Sequence, residues 1–158
     1  MKNFKIKIAE IEDCDTILQF IKKLAEYENL SHEVTATKES LEISLFKNRD
    51  AEALLAYYND LPVGFAIYFH NFSTFLGKKG LYLEDLFVLP EYRGKGIGKQ
   101  MLKHLSKLAL ERDCGRFEWA VLDWNDPALK FYEKLGADFK KEWIITRLTG
   151  DALIKLAE

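Results

Sequence analysis

Between residues 81 and 112 the chain reads as an apolar strand, a glycine-spaced turn and a long amphipathic helix, and this unit constrains everything around it. Leu81 to Val88 (LYLEDLFV) has strand length and composition, Pro90 breaks it, and Arg93-Gly94-Lys95-Gly96-Ile97-Gly98-Lys99 follows. From Gly96 to Arg112, Ile97, Met101, Leu105 and Leu108 share one face while Lys99, Lys103 and Lys107 share another, the pattern of a helix with one buried side. Three alternate glycines let consecutive N–H groups turn toward one anion at the helix start, so pyrophosphate is the natural guest. The segment 91–107 carries five bases against Glu91, a net +4 in a chain of net −2. Glycine spacing alone is met equally by an ordinary turn ahead of a solvated lysine face. The two common nucleotide motifs fail: Gln100 stands where a Walker loop needs Ser or Thr, and Lys99 where a Rossmann turn needs Gly.

Other elements follow from periodicity. Phe4, Ile6 and Ile8 alternate with Lys5 and Lys7 as in a half-buried strand. Cys14, Ile17, Leu18, Ile21, Leu24 and Ala25 give a helix over 13–28 with Asp13 as its cap. Thr37 opens a shorter helix through Leu41 and Leu45, and Ala53 to Tyr58, a turn at 59–62 and Val63 to Phe69 read as a hairpin. Phe117 to Leu122 is a strand, Asn125 to Leu135 a helix ended by Gly136, and Trp143 to Leu148 a last strand before a short helical tail. This order predicts a single α/β (α+β) domain over 1–158, with a mixed, mostly antiparallel sheet and helices on both faces.

Composition excludes several classes. With 48% hydrophobic and 30% charged residues, the chain is an ordinary globular protein, and its near-neutral balance argues against nucleic-acid or membrane-surface binding. Cys14 and Cys114 match no metal or redox spacing, His32, His70 and His104 are scattered, and no run approaches a signal peptide or membrane span. A cytoplasmic setting and no metal are expected.

Arg93, Gly96 and Gly98 also meet the Arg/Gln-x-x-Gly-x-Gly/Ala signature, and the chain resembles the GNAT superfamily of N-acetyltransferases. YLEDLFVLPEYRGKGIG, AVLDWNDPALKFYEKLGA and LAEYENLSHEV extend the likeness to the spermidine/spermine (diamine) acetyltransferase branch, and AVLDWN is most similar to thialysine N-epsilon-acetyltransferases. The resemblance implies the GNAT fold, acetyl-CoA as co-substrate, and a cleft where two parallel strands splay apart. It places the pantetheine along the backbone of Leu86, Phe87 and Val88, which an amide-rich arm pairs with as another strand does. The phosphates fall to Arg93, Gly94, Lys95, Gly96, Ile97, Gly98 and Lys99, with further cofactor contacts from Asn125, Asp126, Pro127 and Ala128. Asn125 and Pro127 also suit a helix start on their own account.

The same likeness makes Tyr132 the acid beside the thioester sulfur, although an aromatic pair Phe131-Tyr132 on a helix is more often core packing. It makes Glu84 the base, and Tyr27, Glu28, Glu84, Asp85, Glu118, Trp119 and Ala120 the acceptor contacts. Glu84 and Asp85 interrupt an apolar strand on opposite faces, and an unpaired carboxylate inside a sheet needs a polar cleft or partner. Residues 10–60 hold twelve acids and five bases, a net −7 that suits a cationic acceptor.

An aliphatic amine near pKa 10.4 must lose a proton before attack, about 4.6 kcal/mol at pH 7. Transfer from a tyrosine to a thiolate is uphill by about 2 kcal/mol at reference values, so it needs hydrogen-bond stabilisation or a lowered tyrosine pKa. The reaction expected is direct attack of a small diamine, polyamine or lysine-like amine on acetyl-CoA in a ternary complex. A protein lysine or chain-terminus acetyltransferase and a non-catalytic acyl-CoA sensor are the alternatives. The branch also implies a homodimer, with the apolar tail Trp143 to Leu156 as interface.

Overall fold

The structure, a computed structural model, describes residues 3–158. The chain forms two compact units, one ending at Ala120 and one running from Val121 to Glu158. The first holds a five-stranded sheet in the order β1 (Phe4–Ile8), β2 (Glu52–Tyr58), β3 (Leu61–Ser73), β4 (Lys78–Val88), β5 (Phe117–Trp119). Neighbours are antiparallel except β4 and β5, which are parallel, so the expected mixed sheet is present.

The β2–β3 turn is tighter than the sequence suggests. Asn59 and Asp60 both take positive φ, 50° and 61°, which matches the twist of the flanking strands, and β3 begins at Leu61. Lys5 Nζ reaches Asp60 at 2.5 Å, tying β1 to that turn.

One sheet face carries Phe65, Ile67 and Phe87, covered by α1 (Cys14–Tyr27) and by α2 (Lys38–Leu41), which continues as a π-helical turn over Glu42–Lys47. Phe20 stacks on Phe65 at 5.5 Å and meets Phe87 at 6.4 Å, anchoring α1. Thr37 caps α2 as expected, accepting from Ser40 N–H at 3.1 Å. Asp13 stands at the N-cap of α1 as expected, but its carboxylate accepts from Glu10 N–H at 2.9 Å, closing the 3-10 turn Ile11–Asp13, and not from the first turn of the helix. The opposite face receives α3 (Ile97–Glu111), whose Met101 and Leu105 are fully buried. Gly64 is required there, because a Cβ would stand 2.7 Å from Phe87 O and 3.5 Å from Met101 Sδ.

The second unit contains α4 (Asp126–Lys134) and α5 (Gly150–Ala157). Two strand expectations change. β5 stops at Trp119 instead of Leu122, and 143–148 has no regular structure although Trp143, Ile144 and Ile145 have strand chemistry. A strand exists only where a neighbour takes its N–H and C=O groups, and among the described residues none pairs with that segment.

Candidate functional site

β4 pairs with β5 only at Leu81, Tyr82 and Leu83, then runs on to Val88 with no strand on that side among the described residues. A β-bulge lies at this point. Ile67 faces Asp85 and Tyr68 faces Leu83, which leaves Glu84 as the extra residue. The simple alternation of Glu84 and Asp85 expected from sequence is therefore replaced by a local re-aiming of both side chains. Asp85 lies on the α1 face with Phe87, while Glu84 is exposed.

The register also decides which backbone groups the free edge offers. Leu89 N–H donates to Val63 O at 2.9 Å, so Gly64–Val88 and Ala66–Leu86 are pairs without mutual hydrogen bonds. The peptide groups of Leu86 and Val88 point away from β3, and those of Phe87 turn toward it. Of the three residues expected to offer backbone groups to pantetheine, Leu86 presents both of its groups to the free edge and Val88 its N–H, the Val88 carbonyl accepting from Arg93 Nε–H at 3.0 Å. Phe87 gives its own to the sheet.

The glycine turn has the backbone the sequence demands. Gly94 and Gly96 have φ of 74° and 77°, and Gly96 is the N-cap of α3. A Cβ at either position meets no atom within 4 Å, so conformation rather than crowding selects glycine, and space remains at the helix start for an anion. Ile97 is buried and anchors the turn, while Lys99 is exposed in the first turn of α3. The residues present fit a pyrophosphate. Lys95 lies over the rings of Tyr92 (4.7 Å) and Tyr58 (5.6 Å), two aromatics that periodicity alone did not single out.

Acidic groups gather at the end of α1 and the bulge. Glu28 directly follows α1, and burial raises its pKa. Asp85 is pushed up to about 6, chiefly by burial and then by the charges of Glu84 and Glu28. Such a group is a carboxylate at neutral pH, held where a cation is favoured. On β5, Glu118 is already engaged: Arg116 Nε stands 2.8 Å from its Oε1, which also accepts from Asn71 Nδ2 at 3.1 Å. Trp119 packs its ring 5.0 Å from Phe117, and Ala120 ends the first unit.

In the second unit Asn125 caps α4, its Oδ1 accepting from Ala128 N–H at 3.4 Å, with Asp126 and Pro127 in the first turn. Tyr132 lies on α4, its ring 5.4 Å from that of Phe131. Burial raises its pKa, so the phenol keeps its proton at neutral pH.

The sequence profile of the acetyltransferase (GNAT) family matches residues 17–137. The chain belongs to that family. This GNAT chain is 37% identical over 99% of its length to the thialysine N-epsilon-acetyltransferase of Mus musculus, of which it covers 99%. It is also 37% identical, over 99% of its length, to the spermidine/spermine N(1)-acetyltransferase-like protein 1 of Homo sapiens, of which it spans 24%. A solved integron cassette protein from the mobile metagenome of V. cholerae matches with a TM-score of 0.83 and 29% identity, covering 100% of this chain and 99% of that one. The protein is an N-acetyltransferase, and the expected GNAT fold is present. Among the described residues no helix is long and apolar enough to cross a membrane.

Proposed function

We propose that this enzyme transfers acetyl from acetyl-CoA to a primary amine of a small cationic acceptor, a thialysine- or lysine-like amino acid or a diamine or polyamine, by direct attack in a ternary complex. The observation that carries the reading is the group of Glu28, Glu84 and Asp85, gathered beside the free edge of a strand that leads into a glycine turn. Names of relatives that act on thialysine and on spermidine or spermine support the acceptor class.

Acetyl-CoA supplies the acetyl group as an activated thioester. Gly94 to Lys99 bind its phosphates, and the peptide groups of Leu86 with the N–H of Val88 align its pantetheine arm, with Asn125 to Ala128 as further contacts. Glu84, through water, receives the ammonium proton while Glu28 and Asp85 hold positive charge on the acceptor. Tyr132, protonated at neutral pH, donates to the departing thiolate. Cys14 is buried with a raised pKa and is no nucleophile, in keeping with direct transfer. A second proton path has its own support. Asp85 at about 6 lies ~2 units closer to the amine than an ordinary aspartate, which eases a transfer to it by about 3 kcal/mol.

A thiol-release assay with acetyl-CoA against thialysine, lysine, ornithine, putrescine, spermidine and a lysine peptide tests the reading. Release with the small amines supports it, preference for the peptide points to a protein acetyltransferase, and CoA binding without release points to a sensor. pH–rate profiles separate the two proton paths. If Glu84 is the base, Glu84→Gln lowers the rate and partly recovers at high pH; if Asp85 is, that behaviour moves to Asp85→Asn.

The enzyme acts as a homodimer, with the apolar tail contributing to the interface. Trp143, Ile144 and Ile145 are 76%, 86% and 73% exposed, and a run with strand chemistry gains a partner by association. Sedimentation showing a monomer overturns this. The two free cysteines suit a reducing, cytoplasmic setting.

A further inference from the structure

Arg93 occupies the first position of the glycine-turn signature, where the family likeness makes it a cofactor contact, yet its side chain is engaged elsewhere. Its Nε–H donates to Val88 O at 3.0 Å, and its guanidinium carbon lies 4.6 Å from the centre of the Tyr27 ring and 5.4 Å from that of Phe87. These partners belong to two elements. Phe87 and Val88 end β4, and Tyr27 is the last residue of α1.

We propose that Arg93 is a positioning residue for the acceptor rather than a phosphate ligand: it fastens the end of α1 to the end of β4 and so fixes Glu28 relative to Asp85. The inference rests on the acceptor site read above. A planar guanidinium lies flat over a ring while an N–H in its plane meets a carbonyl, whereas an ammonium group is a point charge without that flat stacking face. The end of α1 closes on itself, with Asn29 at φ 60° donating to Glu26 O at 3.1 Å and Leu30 N–H to Ala25 O at 2.8 Å, so the turn is fixed locally and what Arg93 adds is its attachment to the end of β4. The clip from Arg93 acts at that point. The carbonyl of Val88 lies on the free edge of β4, so Arg93 also marks where that edge stops offering acceptors to the cofactor arm. On the other side of Gly94, Lys95 rests on Tyr92 and Tyr58, so both cations that flank this glycine are held on aromatic rings. Phosphate recognition then falls to the backbone of the turn and to Lys99.

Arg93→Lys in the full-length enzyme separates the roles, because it keeps the charge and removes the planar contact. The expected result is a rise in KM for the amine of about 3- to 30-fold, the range such a contact spans, with the acetyl-CoA Kd from calorimetry within about twofold of wild type. Tyr27→Leu raises the same KM, and the double variant is no worse than the worse single one, since both remove one contact. A weaker acetyl-CoA Kd with the amine KM unchanged overturns the proposal, as do effects of the two substitutions that multiply. Wild-type enzyme inactive with every amine overturns the acceptor reading itself, and with it this role.

Discussion

Asp85→Asn tests whether the acidic acceptor site is held at the expense of stability. In the folded protein Asp85 is raised from 3.8 to about 6, first by burial and then by Glu84 and Glu28. A carboxyl whose folded pKa is raised binds more protons in the native state than in the unfolded chain. Its favourable contribution is therefore complete below pH ~4, falls as pH rises through about 6, and is absent above that. A shift of ~2 units corresponds to about 3 kcal/mol of destabilisation at pH 7–8. An amide of the same shape has no such charge to desolvate. Asp85→Asn should consequently be more stable than wild type by up to about 3 kcal/mol at pH 8, roughly 6–12 °C in Tm, and by much less at pH 4. Urea melts of both proteins at pH 4, 5, 6, 7 and 8 measure this directly, because titrating groups other than Glu28 and Glu84, which are coupled to Asp85, cancel in the difference. The same variant should lose most acetyl transfer to a cationic amine. An Asp85→Asn protein no more stable at pH 8 than wild type, or equally stabilised at pH 4 and pH 8, refutes the burial argument.

Four further substitutions have expected outcomes. Gly96→Ala forces a side chain into the left-handed region at φ 77° and should lower stability by about 1–2 kcal/mol while raising the KM for acetyl-CoA; Gly98→Ala, whose Cβ meets only Val88 Cγ2 at 4.0 Å, should leave Tm unchanged or slightly higher. Gly64→Ala sets a Cβ against Phe87 O at 2.7 Å across the β3–β4 pair and should destabilise by about 1–3 kcal/mol in chemical denaturation. Tyr132→Phe should depress kcat strongly with little change in the acetyl-CoA Kd, and an unchanged rate removes Tyr132 from proton donation.

What the sequence reveals and what it hides divide along the range of the interactions. The glycine turn is legible because positive φ at Gly94 and Gly96 is a local demand, and α1, α3 and α4 because their apolar stripes recur every helical turn. The bulge at Glu84 is not legible, since a strand that loses register for one residue leaves the same run of letters as one that does not. Trp143 to Leu148 shows the reverse failure: strand chemistry with no pairing strand among the described residues gives no strand. At the site, the residue types are readable and their employment is not. Asp85 owes its raised pKa first to burial and then to Glu84 beside it and Glu28 just past α1, Glu118 is engaged by Arg116 and Asn71, and Arg93 lies against Tyr27, 66 positions earlier in the sequence.

The central claim, direct transfer from acetyl-CoA to an amine within a ternary complex, is tested most directly by initial rates of CoA release over a grid of acetyl-CoA and thialysine concentrations. The account predicts release that depends on both substrates, with double-reciprocal lines that intersect. Parallel lines, signalling an acetylated enzyme, or no release above background with thialysine or any other amine, would contradict it.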